Sequence, residues 1–356
     1  MVPVKAPPES PGIVRRHPEL RWLGSVVLVG GVIALVSSFL SGQFRDTPAT
    51  LRATGPSQLV SEVEQPHVGG YTGTILAKVD LDLPRGVALA LAQEVPVGGA
   101  LLDGSHTIRY WYGDANRQRV AIIGQNAEQD VFRSGNRVLT WDTSTRTFER
   151  QVLDSAGGSL PLAGAPGALT PPQLAQRILG STGQSTTTLR SGDPVAGRST
   201  YELIVQPKSG HSLISSVHVL IDGEHSVPLA VQIYPRGGAD PAIDVAFTSI
   251  NFGKPEARNF TFTPPAGSRT HAPTALSSAG FDTVGSGWLT VARYHTTRPI
   301  AGGLSALFGP SMLAVKGKWG SGRVYSNGAL SVLITHKGQI LVGAVDPTVL
   351  YRAAVR

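Results

Sequence analysis

The sequence predicts a mostly β protein of the α+β kind, and three observations carry that prediction. Short runs rich in Val, Ile, Thr, Tyr and Trp recur from Tyr71 to Asn251, separated by Gly/Pro/Asn/Asp clusters, as in a meander of antiparallel strands. The 356 residues include 42 Gly and 26 Pro, enough for a turn-rich chain but short of collagen-like or wholly disordered composition. Hydrophobic residues make up 41% and charged residues only 15%, so a sizeable core is available.

The elements follow in chain order. Residues 1–21 are Pro-rich at their start and read as a cytoplasmic tail. Trp22–Phe44 carries no charge, and its solid apolar part, Trp22–Leu40, would span roughly 28 Å as a helix, close to the hydrocarbon thickness of a bilayer. Lys5, Arg15, Arg16 and Arg21 precede it, which puts the N-terminus in the cytoplasm and the bulk of the chain outside it, with one pass through the cell membrane. A cleaved signal peptide followed by secretion is the alternative, but a signal core is shorter, about 7–15 residues.

After this segment, Leu59, Val60 and Val63 lie at helical spacing behind Pro56-Ser57. Strands are predicted at Tyr71–Val79, His106–Tyr112, Arg119–Ile123, Asp130–Arg133, Arg137–Trp141 and Thr147–Val152, with Ser134-Gly135-Asn136 as a hairpin turn. Asp154–Ala168 is a Gly/Pro/Ala loop. Thr170-Pro171-Pro172-Gln173 opens a helix with a capping box, and Leu174, Ile178 and Leu179 give it an apolar face. Strands resume at Thr186–Arg190, Ser199–Gln206, Leu213–Asp222, Val227–Tyr234 and Ile243–Asn251. The expected division is a domain over 45–268, a Ser/Thr/Ala/Pro-rich linker over 269–282 and a small α+β module over 283–356. In that module strands are predicted at Trp288–Tyr294, Ala329–Thr335 and Gln339–Val345, with a helical turn at Leu304–Phe308. Asp346-Pro347 opens a last short helix.

The chemistry the chain lacks narrows its function. With no cysteine there is no disulfide framework, thiolate zinc site or lipidated cysteine anchor. No nucleophile elbow, Walker loop or H-E-x-x-H is present. His211, His218 and His225 recur every seven residues, which is not a ligand spacing on strands. The net charge of +7 is spread out, so nucleic acid is not an expected partner. No cofactor or metal is expected, and no catalytic constellation is found. What remains is apolar surface. Ile108, Tyr110 and Tyr112 share one strand face, Leu139 and Trp141 share another, and a sheet apolar on both faces needs covering on both, by its own chain or by a ligand.

The ordered set Tyr71-Thr72-Gly73-Thr74, His106–Tyr112, Glu128–Asp142, Ala196–Leu203 with Val219–Asp222, and the closing Phe260-Thr261-Phe262-Thr263-Pro264-Pro265-Ala266-Gly267 resembles the LolA-like superfamily of lipoprotein carriers and RseB/MucB-type regulators. The resemblance covers roughly residues 57–268. It implies a half-open antiparallel β-barrel with a helical lid over an apolar cavity. The cavity candidates are then Tyr71, Ile75, Ile108, Tyr110, Leu139 and Trp141 on the sheet, with Leu174 and Ile178 on the lid. A one-residue slip in register would turn any of these strands over. The implied function is non-catalytic, extracytoplasmic binding of a lipid or lipoprotein acyl chain. The alternative is an RseB-like sensor that binds an anti-sigma factor, a membrane protein partner. The membrane segment and the module at 283–356 depart from the simple carriers, although RseB-type proteins do carry a second domain.

Overall fold

Alternation of apolar and polar residues along the strands governs the architecture seen in a computed structural model. It describes residues 54–64, 68–84, 103–124, 127–152, 170–180, 182–270, 281–295 and 311–355, all within one unit, Thr50–Arg356. The Trp22–Phe44 segment, the 154–168 loop, the middle of the expected linker and the turn at Leu304–Phe308 lie outside these residues. Among the described residues no helix is long and apolar enough to cross a membrane.

Twelve strands form the larger sheet. They are β1 (Tyr71–Val79), β2 (Gly104–Asp114), β3 (Arg117–Ile123), β4 (Glu128–Ser134), β5 (Arg137–Asp142), β6 (Thr147–Val152), β7 (Ser185–Val195), β8 (Arg198–Pro207), β9 (Ile214–Asp222), β10 (Pro228–Pro235), β11 (Ile243–Phe252) and β12 (Arg269–Thr270). Their order is β12-β6-β5-β4-β3-β2-β1-β11-β10-β9-β8-β7, so β12 and β7 are unpaired edges and the sheet stays open. All neighbours are antiparallel except β12 and β6. The strands predicted in this part of the sequence are all present, several of them longer than predicted.

One face of the sheet is apolar from strand to strand. The row Ala77, Val245, Val231, Val219, Leu203 and Leu189 follows directly from the cross-strand register. Two short helices cover this inner face: α1 (Pro56–Glu64) through Leu59 and Val63, and α2 (Pro171–Leu179) through Leu174, Ala175 and Leu179. α2 begins as its sequence predicts. Thr170 precedes Pro171 and Pro172, and Gln173 reaches back to accept a hydrogen bond from the Thr170 backbone N–H at 3.4 Å. Where β1 bulges against β11, Gly73 is required. A Cβ there would lie 2.6 Å from both the Phe247 ring and the Ser249 carbonyl oxygen.

The Phe260–Gly267 motif, which the resemblance implies is a closing strand, is not one. Phe260 ends a short 3₁₀ turn at Ala257–Phe260, and an irregular run without ladder bonds follows, in which Pro264 and Pro265 have no N–H to donate. The run crosses the outer face of β3 and β4 and reaches the sheet only at β12.

The second sheet holds β13 (Phe281–Val284), β14 (Val291–His295), β15 (Leu313–Gly317), β16 (Gly320–Ser326), β17 (Ser331–Thr335) and β18 (Gln339–Gly343), in the order β13-β14-β18-β17-β16-β15. Helix α3 (Pro347–Val355) packs on it through Val349, Leu350, Ala353 and Ala354. The two sheets are joined by specific bonds. Leu213 N–H donates to the Ala344 carbonyl at 2.9 Å. The His211 ring meets the Asp346 carboxylate at 2.5 Å. Trp288 Nε1–H donates to Ser185 Oγ at 2.7 Å, and the Tyr325 hydroxyl to the Asp82 carbonyl at 2.7 Å.

Candidate functional site

β1 and β2 place a group of tyrosines under the helices. Tyr71 lies opposite Tyr112, with Tyr110 one step along the same face. The Tyr71 and Tyr112 rings stack with centroids 4.9 Å apart, and Tyr110 meets Tyr71 edge-on at 5.8 Å. β3 adds Gln118, whose Oε1 accepts from the Tyr110 hydroxyl at 3.2 Å while its Nε2 donates to the Ala115 carbonyl at 3.1 Å. Val63 of α1, Pro172 and Gln173 of α2, and Val227 with Pro228 at the start of β10 complete a cavity of about 130 Å³. Ala115 and Gln176, both exposed, stand at its rim.

The electrostatics are those of a neutral site. Burial raises the phenol pKa of Tyr71, Tyr110 and Tyr112, reinforced by their mutual repulsion and, at Tyr112, by Asp114. All three hydroxyls therefore stay protonated at physiological pH. Gln118 and Gln173 are each 4% exposed. Gln173 Oε1 is engaged by the Thr170 N–H, whereas its Nε2 is buried without a hydrogen-bond partner in the protein. The lining offers aromatic faces, aliphatic groups and neutral amides. These are groups that hold a ligand by apolar contact and a few neutral hydrogen bonds. Among the described residues no three His, Asp or Glu side chains stand together as a metal site. His211, His218 and His225 instead pair separately with Asp346, Glu202 and Asp222.

The structure separates the eight cavity candidates into two groups. Tyr71, Ile75, Ile108, Tyr110 and Leu174 belong to one buried cluster on the inner face, and Ile178 packs at its margin. Of these, Tyr71 and Tyr110 line the cavity, while Ile75 and Ile108 are fully buried core. Leu139 and Trp141 lie on the other face. The register Tyr110–Val120–Val131–Thr140 brings Thr140 to the inner side, so its neighbours Leu139 and Trp141 point outward. Trp141 sits 5.4 Å from Phe262, which stacks on Phe132 at 5.1 Å.

Sequence reading missed Gln118, Gln173 and Val227 as lining residues. Gln173 reads as a capping residue and has that role, but its second role depends on what the fold places over β1 and β2. Tyr112 was legible as sharing a face with Tyr110.

No family model matches the chain, and no curated protein matches it. Solved structures do. MucB in complex with MucA from Pseudomonas aeruginosa is 17% identical, the match covering 84% of this chain and 95% of that one, with a TM-score of 0.43. An uncharacterised conserved protein from Thermus thermophilus is 9% identical over 61% of this chain and 98% of that one, at 0.37. A LolA-superfamily protein from Nitrosomonas europaea is 10% identical over 59% and 99%, at 0.26. The chain is thus similar to MucB and to LolA-superfamily structures, with low identity throughout.

Proposed function

We propose that this chain is a non-catalytic binding protein that takes an acyl-bearing ligand, a lipid or an acylated protein, beneath α2. It is held at the extracytoplasmic face of the membrane by the Trp22–Phe44 segment. The observation that carries this reading is the aromatic cavity between the β1–β2 tyrosines and α2, lined by neutral groups with its rim at Ala115 and Gln176. Burial of acyl carbon contributes about 0.8 kcal/mol per CH₂, so a few methylenes against these rings give measurable affinity without any charged contact. The cavity is too small for a whole long chain. An engineered cavity of about 150 Å³ holds one benzene, so about 130 Å³ accommodates some six heavy atoms. The rest of a longer ligand would run out at the rim or require α2 to move.

The test is mass spectrometry of lipids released from the purified full-length protein, together with carbonate washing of the membranes that contain it. Acyl lipid bound in near-stoichiometric amount, on a protein that stays in the pellet, is the expected result. A protein that neither carries nor takes up any acyl compound is not a binder of this kind.

A second reading, a sensor that engages an anti-sigma factor at the membrane, is favoured by the same small volume. A pocket for one end of a ligand suits detection better than carriage. The second sheet, tied to the first through His211–Asp346 and Trp288–Ser185, supplies a further surface for a protein partner. MucB, which this chain resembles in fold, is known in complex with MucA. Capture of a membrane protein by the full-length chain, strengthened or released by acyl ligand, separates this reading from simple carriage.

A further inference from the structure

The hydrogen bonding around the cavity is incomplete. Tyr110 donates to Gln118 Oε1, Gln118 Nε2 donates to the Ala115 carbonyl, and Gln173 Oε1 accepts from the Thr170 N–H. Two buried groups are unspent: Gln173 Nε2, a donor on a lining side chain 4% exposed, and the Thr170 hydroxyl behind it at the start of α2. A buried donor without an acceptor is costly, so the site is completed by a ligand that brings an acceptor. The acceptor must be neutral. None of the residues around the cavity is Lys, Arg or His, and a buried carboxylate or phosphate there would have no counter-charge. The group must also be small and must continue into an apolar part that fits the stacked Tyr71 and Tyr112 rings.

We infer that the cavity recognises the carbonyl of an acyl ester or acyl amide, with Gln173 Nε2 donating to the carbonyl oxygen and the adjoining methylenes lying against the tyrosine rings. This rests on the acyl-binding reading above and adds to it the chemical group that is recognised and the side chain that recognises it. An ester carbonyl belongs to a glycerolipid and an amide carbonyl to an N-acylated protein. Both present the same acceptor.

The experiment is a titration of the full-length protein, kept in an amphipol, with ethyl butanoate, N-ethylbutanamide and heptane as probes, followed by NMR of the side-chain amides. It is repeated on Gln173→Leu and Gln173→Met. The methionine variant keeps the unbranched length of the side chain but has no donor, so it checks the result if the leucine variant folds poorly. The Gln173 amide resonance is expected to shift with the ester or the amide and not with heptane. Affinity for at least one carbonyl probe should fall about tenfold relative to that for heptane in both variants. Which carbonyl probe binds tells the lipid source from the protein source. If all three probes bind and the variants leave carbonyl affinity unchanged, the Gln173 assignment is overturned and the acyl-binding reading stands. If none of the three binds the wild type, the acyl-binding reading falls and this inference with it.

Discussion

The inner and outer faces of the β2–β5 meander come from the same four strands, yet they are closed in different ways. Inward, Ile108, Tyr110, Val120 and Val131 belong to the buried cluster that also holds the apolar residues of α1 and α2, and the tyrosines leave a cavity beneath α2. Outward, Trp111, Phe132 and Trp141 meet charge and the chain's own aromatics. The Arg119 guanidinium lies 4.5 Å from the Trp111 ring and 4.8 Å from that of Phe132, and Phe262 covers Phe132. A sheet with large apolar residues on both faces had to be covered twice. The 257–268 run supplies the outer cover, so the outer aromatics are packed within the protein. The difference shows that aromatic residues on a strand do not by themselves mark a site. What sets the inner face apart is the space left beneath α2.

The largest test of this division is Leu174→Asp. Leu174 is 6% exposed within the inner cluster, and a carboxylate there has no partner among the residues that cluster contains. The expected loss is on the order of 4 kcal/mol in urea unfolding. A variant that kept wild-type stability and lost only ligand would mean that α2 rests on the sheet as a loose lid rather than as core. Trp141→Ala comes next. It removes the contact with Phe262 and should cost about 3 kcal/mol, while leaving affinity for ethyl butanoate as in the wild type. A tenfold drop in that affinity would show that Trp141 reaches the cavity and that the partition of faces is wrong.

Much of this was legible in the sequence. Tyr71–Val79 and the strands after it were marked by their β-branched and aromatic residues, and α2 by Thr170, Pro171 and Gln173. The facing of β5 was not. Leu139, Thr140 and Trp141 alternate so that two large residues share a side, and that favours placing them toward the core. Their true direction is fixed by pairing with β4, where Val131 stands opposite Thr140. The polar part of the cavity lining was illegible for a similar reason. Gln118 and Gln173 lie 55 positions apart in sequence, and each has a sufficient local role, one beside a turn and the other as a cap. In the second sheet β15 and β16 were missed because Gly317, Gly320 and Gly322 dominate that stretch and read as loop. There a hairpin is built on glycine, since a Cβ at Gly322 would lie 2.2 Å from the Ile334 carbonyl oxygen.

The smallest expected effect concerns two buried carboxylates, Asp130 on the outer face and Asp222 at the β9–β10 turn, and it turns on pH. Burial raises the pKa of each, but their partners differ. Asp222 pairs with Arg198, accepts from the His225 N–H at 2.6 Å and the Glu224 N–H at 3.1 Å, and meets the His225 ring at 3.0 Å, so its pKa ends below the usual carboxylate value. Asp130 relies on Arg119 at 2.8 Å, which also serves Glu128 at 3.4 Å, and the Glu128 charge opposes its ionisation. Its pKa is pushed up to about 6. The signs follow by linkage. The contribution of Asp222 is present above about pH 4 and is lost as pH falls through its lowered folded value. That of Asp130 is fully present below about pH 4, the unfolded value, and is lost as pH rises through about 6. Its full size is at most about 3 kcal/mol by the shift. Asp130→Asn forfeits the Arg119 ion pair as well, so the net gain above pH 6 is on the order of 1 kcal/mol. The measurement is the urea midpoint of wild type and variant at pH 4.5 and pH 7.5. The wild type should lose stability across this interval relative to Asp130→Asn, and the two should converge toward the acid end. Parallel profiles would mean that Arg119 alone neutralises Asp130, and that the outer face holds its carboxylate as firmly as Arg198 and His225 hold Asp222.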